Sequence, residues 1–208
     1  STDYAVPPEI IVAIVGVETF YGRHKGKYRV IDALTTLGFN YPPRETFFRS
    51  ELEQFLLLAR EEKLDPLTPV GSYAGAMGMP QFIASSYRRY AVDGDGDGRR
   101  DLWESKPDIL ASVANYFQRH GWRPGEPVAS PAQVSGDKWQ ALLSNDLALN
   151  ARVGELAAAG VTTATPQPSE RKAKLLALES AADSNEYWVA YNNFYVITRY
   201  NRSPLYAM

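Results

Sequence analysis

Apolar residues recur at helical spacing in four stretches of the chain, and each predicts a helix. After Pro7-Pro8, the run EIIVAIVGVETFYG predicts a helix over 8–21, with Glu9 near its positive end and Gly22 as its stop. The spacing of Phe48, Leu52, Phe55, Leu56 and Ala59 predicts a second helix over 44–64. A shorter helix is expected over 80–92, and another from Asp108 to Gly121. Beyond Trp122 the pattern breaks. RPGEPVASPAQVSGD is rich in turn-forming residues, NARVGELAAAG reads as a short helix, and TTATPQPSE as a loop. RKAKLLALES and NEYWVAYNNFYVITRYN favour strands in part. There is no internal repeat. The expected fold class is α+β, mainly α: a helical core of residues 1–122 with 188–208, interrupted by a small α+β insert over 123–187.

Composition narrows the function classes. With 208 residues, 45% of them hydrophobic, the chain can bury a substantial core. A formal charge of −2 argues against a nucleic-acid surface. The absence of cysteine excludes a disulfide framework and a thiolate metal site. No uninterrupted apolar run approaches the roughly 18 residues of a membrane span. Aromatic residues, 13 of them Tyr, suit sugar faces as well as cores.

The most specific local pattern is DGDGDGRRDLWE, residues 93–104. Asp93, Asp95, Asp97, Asp101 and Glu104 fall at loop positions where an EF-hand places oxygens, and Gly98 sits at its sharp bend. Arg99 would contribute its backbone carbonyl. Carboxylates this dense repel one another unless a hard cation neutralises them, so a structural Ca²⁺ is expected and no organic cofactor. Leu102 is placed to anchor the loop to the core. Arg100 stands where a paired hand carries an aliphatic residue, so no second hand is expected. Spacing selects Glu104 as the closing ligand, while Asp108, four residues on, competes with it.

A second feature is the carboxylate of Glu18 in an otherwise apolar helix. Ile11, Val15 and Glu18 share one stripe, which aims Glu18 toward the core and favours its protonated form, as a general acid requires. From the helix alone, a structural Glu, tied to a partner or turned out at the helix end, is the favoured reading. The small-residue segment GSYAGAMGMPQF, 71–82, adds weight to the chemical reading, because it offers a close backbone approach with Ser72 and Gln81 as polar groups. His24 and His120, the only histidines, read as a surface residue and a helix-end residue, which leaves no Ser-His-Asp arrangement.

VGVETFYG, LTTLGFNYP, GSYAGAMGMPQF, the acidic loop with DLW, SVANYF and FYVITRYN together resemble, in this order and over nearly the whole chain, the family B bacterial lytic transglycosylases. The resemblance implies a lysozyme-like fold and cleavage of the MurNAc-β-1,4-GlcNAc bond of peptidoglycan, leaving 1,6-anhydro-N-acetylmuramic acid. It implies Glu18 as the single catalytic acid and base, Ser72 hydrogen-bonding near it, and Gln81, Met77 and Phe82 lining the sugar cleft. Tyr200, Asn201 and Tyr206 would complete the cleft, and Arg44 would face peptide stems. It also implies Asp108 as the closing calcium ligand, so Asp93, Asp95, Asp97, Arg99 and either Asp108 or Glu104 form the expected set. The expected partners are peptidoglycan strands and other cell-wall enzymes, and the expected state is a monomer. The expected location is the periplasm of a Gram-negative bacterium. Shorter ends than the family's, and no lipid-attachment cysteine, point to a soluble form or one trimmed from an anchored precursor.

Two alternatives follow from the residues. A hydrolytic muramidase would need a second acid, with Asp183 and Glu186 the candidates. A calcium-stabilised peptidoglycan-binding module would need no catalytic role for Glu18.

Overall fold

The computed structural model describes residues 4–181 and 184–208, and the chain divides into two compact units at Arg119/His120. Residues 188–208, assigned from sequence to the helical core, cluster by their contacts with the second unit.

The first unit is helical. In α1 (Pro8–Thr19) a proline fills the first turn, where its missing N–H leaves nothing unpaired, and Ile11, Ile14, Val15 and Thr19 are buried. A two-residue strand β1 (Tyr28–Arg29) leads into α2 (Val30–Asn40), which packs on α3 (Glu45–Glu61). Strand β2 (Val70–Gly71) pairs antiparallel with β1, placing Gly71 opposite Tyr28. Helices α4 (Ala84–Tyr90) and α5 (Lys106–Arg119) pack on each other, α3 contacts α4, and α1 contacts α5. Phe55, Leu58, Leu102, Val113 and Phe117 are fully buried in this unit.

Three details differ from the sequence pattern. Helix α2 was not expected, because Thr35, Thr36 and Gly38 weaken its propensity; its packing on α3 outweighs them. In α3 the buried face is Phe48, Glu51, Phe55, Leu58 and Ala59, while Leu56 is exposed and Leu52 half-buried. Glu51 goes inside because its carboxylate accepts the Ser85 N–H at 2.9 Å, satisfying a donor at the start of α4. Finally, α1 ends at Thr19, since Phe20, Tyr21 and Gly22 all take positive φ.

The second unit is built on an antiparallel sheet. Its strands are β3 (Ala129–Val134), β4 (Ala151–Arg152), β5 (Val161–Thr163), β6 (Lys172–Ala181) and β7 (Ser184–Ala190), in the spatial order β4-β6-β7-β3-β5. Helix α6 (Val153–Ala158) follows β4, and α7 (Asn192–Ile197) and α8 (Pro204–Ala207) follow the sheet. Leu156, Val161, Ala173, Leu175, Val189 and Tyr191 make the core. Asn193 is fully buried and fully used: its amide donates to the Arg123 and Glu126 carbonyls at 2.8 Å, and its carbonyl accepts the Arg123 N–H.

Lys174 is the outlier of β6. Only 2% exposed, its ammonium donates to the Ser144 carbonyl at 3.0 Å and hydroxyl at 2.6 Å, and faces Asp146 at 3.7 Å. Desolvation pulls its pKa below the usual lysine range, opposed in part by Asp146. Among the described residues, no helix is long and apolar enough to cross a membrane.

Candidate active site

Glu18 stands on the last turn of α1, half-buried at the edge of the apolar stripe rather than within it. Behind it the helix buries Ile14 and Val15; ahead of it the chain reverses sharply. The next residue fixes that reversal. The Thr19 hydroxyl, 1% exposed as a residue, lies 3.0 Å from the Met79 carbonyl and 3.2 Å from that of Val15, and accepts the Gly22 N–H at 3.0 Å. Glu18 is thus covalently next to a point where α1 is tied to the glycine-rich segment.

That segment is held backbone against backbone. A Cβ at Gly26 would fall 2.0 Å from the Gly71 carbonyl, and one at Gly78 would fall 2.4 Å from the Leu102 oxygen, with Gly78 also at positive φ. These glycines serve internal packing, a narrower use than the ligand approach expected from their small size. The Ser72 oxygen accepts the N–H groups of Ala74 and Ala76 at 3.2 and 3.1 Å, which leaves its own proton outside those two bonds. The Gln81 amide donates to the Gly78 and Lys25 carbonyls at 2.9 and 3.3 Å, joining the segment to the chain just after α1. Its side-chain oxygen is not engaged in either bond. Met77 and Phe82 pair as an antiparallel bridge and are buried, so their side chains belong to the core beneath this surface. The Phe82 ring lies 5.6 Å from that of Tyr116.

The remaining expected residues lie elsewhere. Arg44 is exposed at the start of α3, its guanidinium over the Phe47 and Phe48 rings at 4.4 and 5.1 Å. In the second unit, the Tyr200 and Tyr206 rings stack at 6.4 Å and Asn201 is exposed. Glu186 is exposed on β7, and Asp183 lies outside the described residues. Among the described residues, four of the surface cavities hold about 290 to 570 Å³, and Glu18 lines none of these four.

The acidic loop gathers its charges. Carboxylate oxygens of Asp93, Asp95 and Asp108 lie within 4.8 Å of one another. Asp93 accepts the N–H groups of Gly96, Asp97 and Gly98, and the Gly98 bond above all holds its carboxyl below the usual carboxylate range. Asp108, 1% exposed, accepts the N–H groups of Gly94 and Asp101 at 2.7 Å each. Asp97 accepts the Arg99 N–H, and both residues are exposed. Glu104 turns away: it is 75% exposed and pairs with Lys25 at 2.6 Å. An all-oxygen donor set of this kind fits a hard divalent cation and does not suit a soft one.

The loop also reaches the segment around Glu18. Leu102 is fully buried, and its carbonyl accepts the Met79 N–H at 2.8 Å. Thr19 and Met79 were not singled out from sequence; the signal was there only in the hydroxyl that follows Glu18, since its partner lies sixty positions away.

The chain is similar to known proteins along its whole length. The family described as transglycosylase SLT domain matches residues 1–208. The chain is 51% identical to membrane-bound lytic murein transglycosylase B of Escherichia coli (strain K12), over 99% of its own length and 55% of that protein's. It therefore spans about half the length of that relative. Among solved structures, the Escherichia coli lytic transglycosylase Slt35 in complex with calcium superposes with a TM-score of 0.90 at 50% identity, covering 99% of this chain and 64% of that one. SltB3 from Pseudomonas aeruginosa in complex with NAG-anhNAM-pentapeptide superposes at 0.87 and 36% identity, covering 99% and 55%. The fold is accordingly lysozyme-like, with helices and a sheet. The chain belongs to the transglycosylase SLT domain family, among the family B lytic murein transglycosylases.

Proposed function

We propose that this chain is the catalytic part of a peptidoglycan lytic transglycosylase, with Glu18 as its one acid and base. One observation carries the reading: Glu18 is half-buried at the end of α1, beside the Thr19 contact to the glycine-rich segment. That a relative is named a lytic murein transglycosylase, and that SltB3 was solved in complex with NAG-anhNAM-pentapeptide, supports the same chemistry here.

In the proposed reaction Glu18 gives its proton to the oxygen linking MurNAc C1 to GlcNAc, and that C1–O bond breaks. The muramoyl C6 hydroxyl then attacks C1 from within the same sugar, forming the C1–O6 bond, and its proton returns to Glu18. No water is consumed and the carboxyl is regenerated. A single carboxylate suffices because the nucleophile belongs to the substrate, in contrast to hydrolases that use two flanking acids. Ser72 hydrogen-bonds near Glu18, Gln81 binds sugar through its side-chain carbonyl, and Met77 and Phe82 support that wall from beneath. Tyr200, Asn201, Tyr206 and Arg44 contact glycan and stem peptide.

Asp93, Asp95 and Asp108 hold a calcium ion in an EF-hand-type loop, with Asp97 and the Arg99 carbonyl as further ligands. The ion neutralises the clustered carboxylates and stabilises the fold. The site of action is the periplasm, on peptidoglycan strands.

Glu18→Gln tests the reading. It should lower release of soluble fragments from purified peptidoglycan by about 10² to 10⁴-fold, with melting temperature and co-sedimentation with peptidoglycan unchanged. Retained release would overturn the catalytic assignment.

A further inference from the structure

We propose that Thr19 is a positioning residue for Glu18, acting through its hydroxyl contact to the Met79 carbonyl. The inference rests on the reading of Glu18 as acid and base.

Thr19 is the only residue between Glu18 and the left-handed reversal of Phe20, Tyr21 and Gly22. Positive φ at two aromatic residues is an unfavourable backbone state that persists only where neighbouring contacts fix it. The Thr19 oxygen supplies such a contact by accepting the Gly22 N–H, while its proton serves Met79, the nearer carbonyl, or is shared with Val15. One buried hydroxyl thereby joins the last helical turn, the reversal and the glycine-rich segment.

The far end of the contact is itself fixed. The Met79 N–H donates to Leu102, whose neighbour Asp101 donates its N–H to the Asp108 carboxylate. Gly78, just before Met79, approaches Leu102 too closely for a side chain, so the segment cannot slide there without losing the contact. A carboxyl that must first donate and then accept a proton on the same substrate needs a fixed origin. Without the hydroxyl, the turn bearing Glu18 loses this tie to that origin, while the buried methyl of Thr19 would still fill its space.

Thr19→Val keeps shape and removes the hydroxyl; Thr19→Ser keeps the hydroxyl. Turnover on peptidoglycan and the Glu18 carboxyl-carbon NMR titration would be measured for both, alongside Glu18→Gln. Thr19→Val should lower kcat by about tenfold or more, leave KM within about twofold and move the Glu18 titration. Thr19→Ser should restore both readouts. Wild-type kcat and titration in Thr19→Val, or equal impairment in Thr19→Ser, would overturn the proposal. If Thr19→Val fails to fold, Thr19→Cys, a weaker donor of similar size, must show the same changes or the proposal fails. Full turnover in Glu18→Gln would instead overturn the functional reading. The titration then decides alone: a shift in Thr19→Val that Thr19→Ser reverses supports the positioning, and no shift overturns it.

Discussion

Glu18 was legible in the sequence because a carboxylate in an apolar helix is conspicuous, but its depth was not. An ideal stripe through Ile11 and Val15 continues to Glu18, whereas α1 buries Thr19 and leaves Glu18 half-covered at the helix end. Buried Thr19 bonds through its hydroxyl to a carbonyl on a distant segment, which periodicity does not register. Leu102 makes the same point for packing. It is fully buried beneath the acidic loop, and its carbonyl holds Met79. Leu102→Ala should destabilise the protein by about 2–5 kcal/mol through the cavity it leaves, read as a lower denaturation midpoint at unchanged m-value. Gly78→Ala places a Cβ 2.4 Å from the Leu102 oxygen at a φ of +69°, so it should cost more than about 1 kcal/mol on the same assay.

Among the elements, the long amphipathic helices and the acidic loop were readable, and the elements formed by distant partners were not. The loop is read from carboxylate spacing, but which acid joins Asp93 and Asp95 depends on where the chain turns after Asp101. The turn brings Asp108 inward onto two backbone N–H groups and sends Glu104 out to Lys25. On the proposed calcium site, chelation should lower the melting temperature, and Asp108→Asn should lower it in a way that added Ca²⁺ reverses poorly. Glu104→Gln should change melting by an amount typical of an exposed pair, equivalent to about 1 kcal/mol or less. The short partners β1 and β2 and the helix α2 escape sequence reading because each is held by residues far along the chain. Strands β6 and β7 were foreseen in part, since Leu and Ala fill β6 where β-branched residues would have signalled it more clearly.

For the whole molecule, buried ionisable groups link stability to pH. The pKa of Lys174 is lower in the folded protein than the roughly 10.4 of an unfolded lysine. Between the two values the unfolded chain holds the additional proton, so stability should rise with pH across that window; below the folded pKa this contribution is absent. Lys174→Met should flatten that rise relative to wild type in pH-dependent denaturation. The boundary between the two units at Arg119/His120 lies near the change in composition after Trp122, while the final helices, expected in a core interrupted by an insert, cluster with the second unit through contacts that composition does not carry. The central claim, that one carboxyl suffices because the sugar supplies the nucleophile, is tested most directly by mass analysis of muropeptides released in water enriched in heavy oxygen. Products lighter by one water than their reducing-end counterparts, carrying anhydromuramoyl ends and no solvent oxygen, are the predicted result. Reducing ends labelled with heavy oxygen throughout would contradict it.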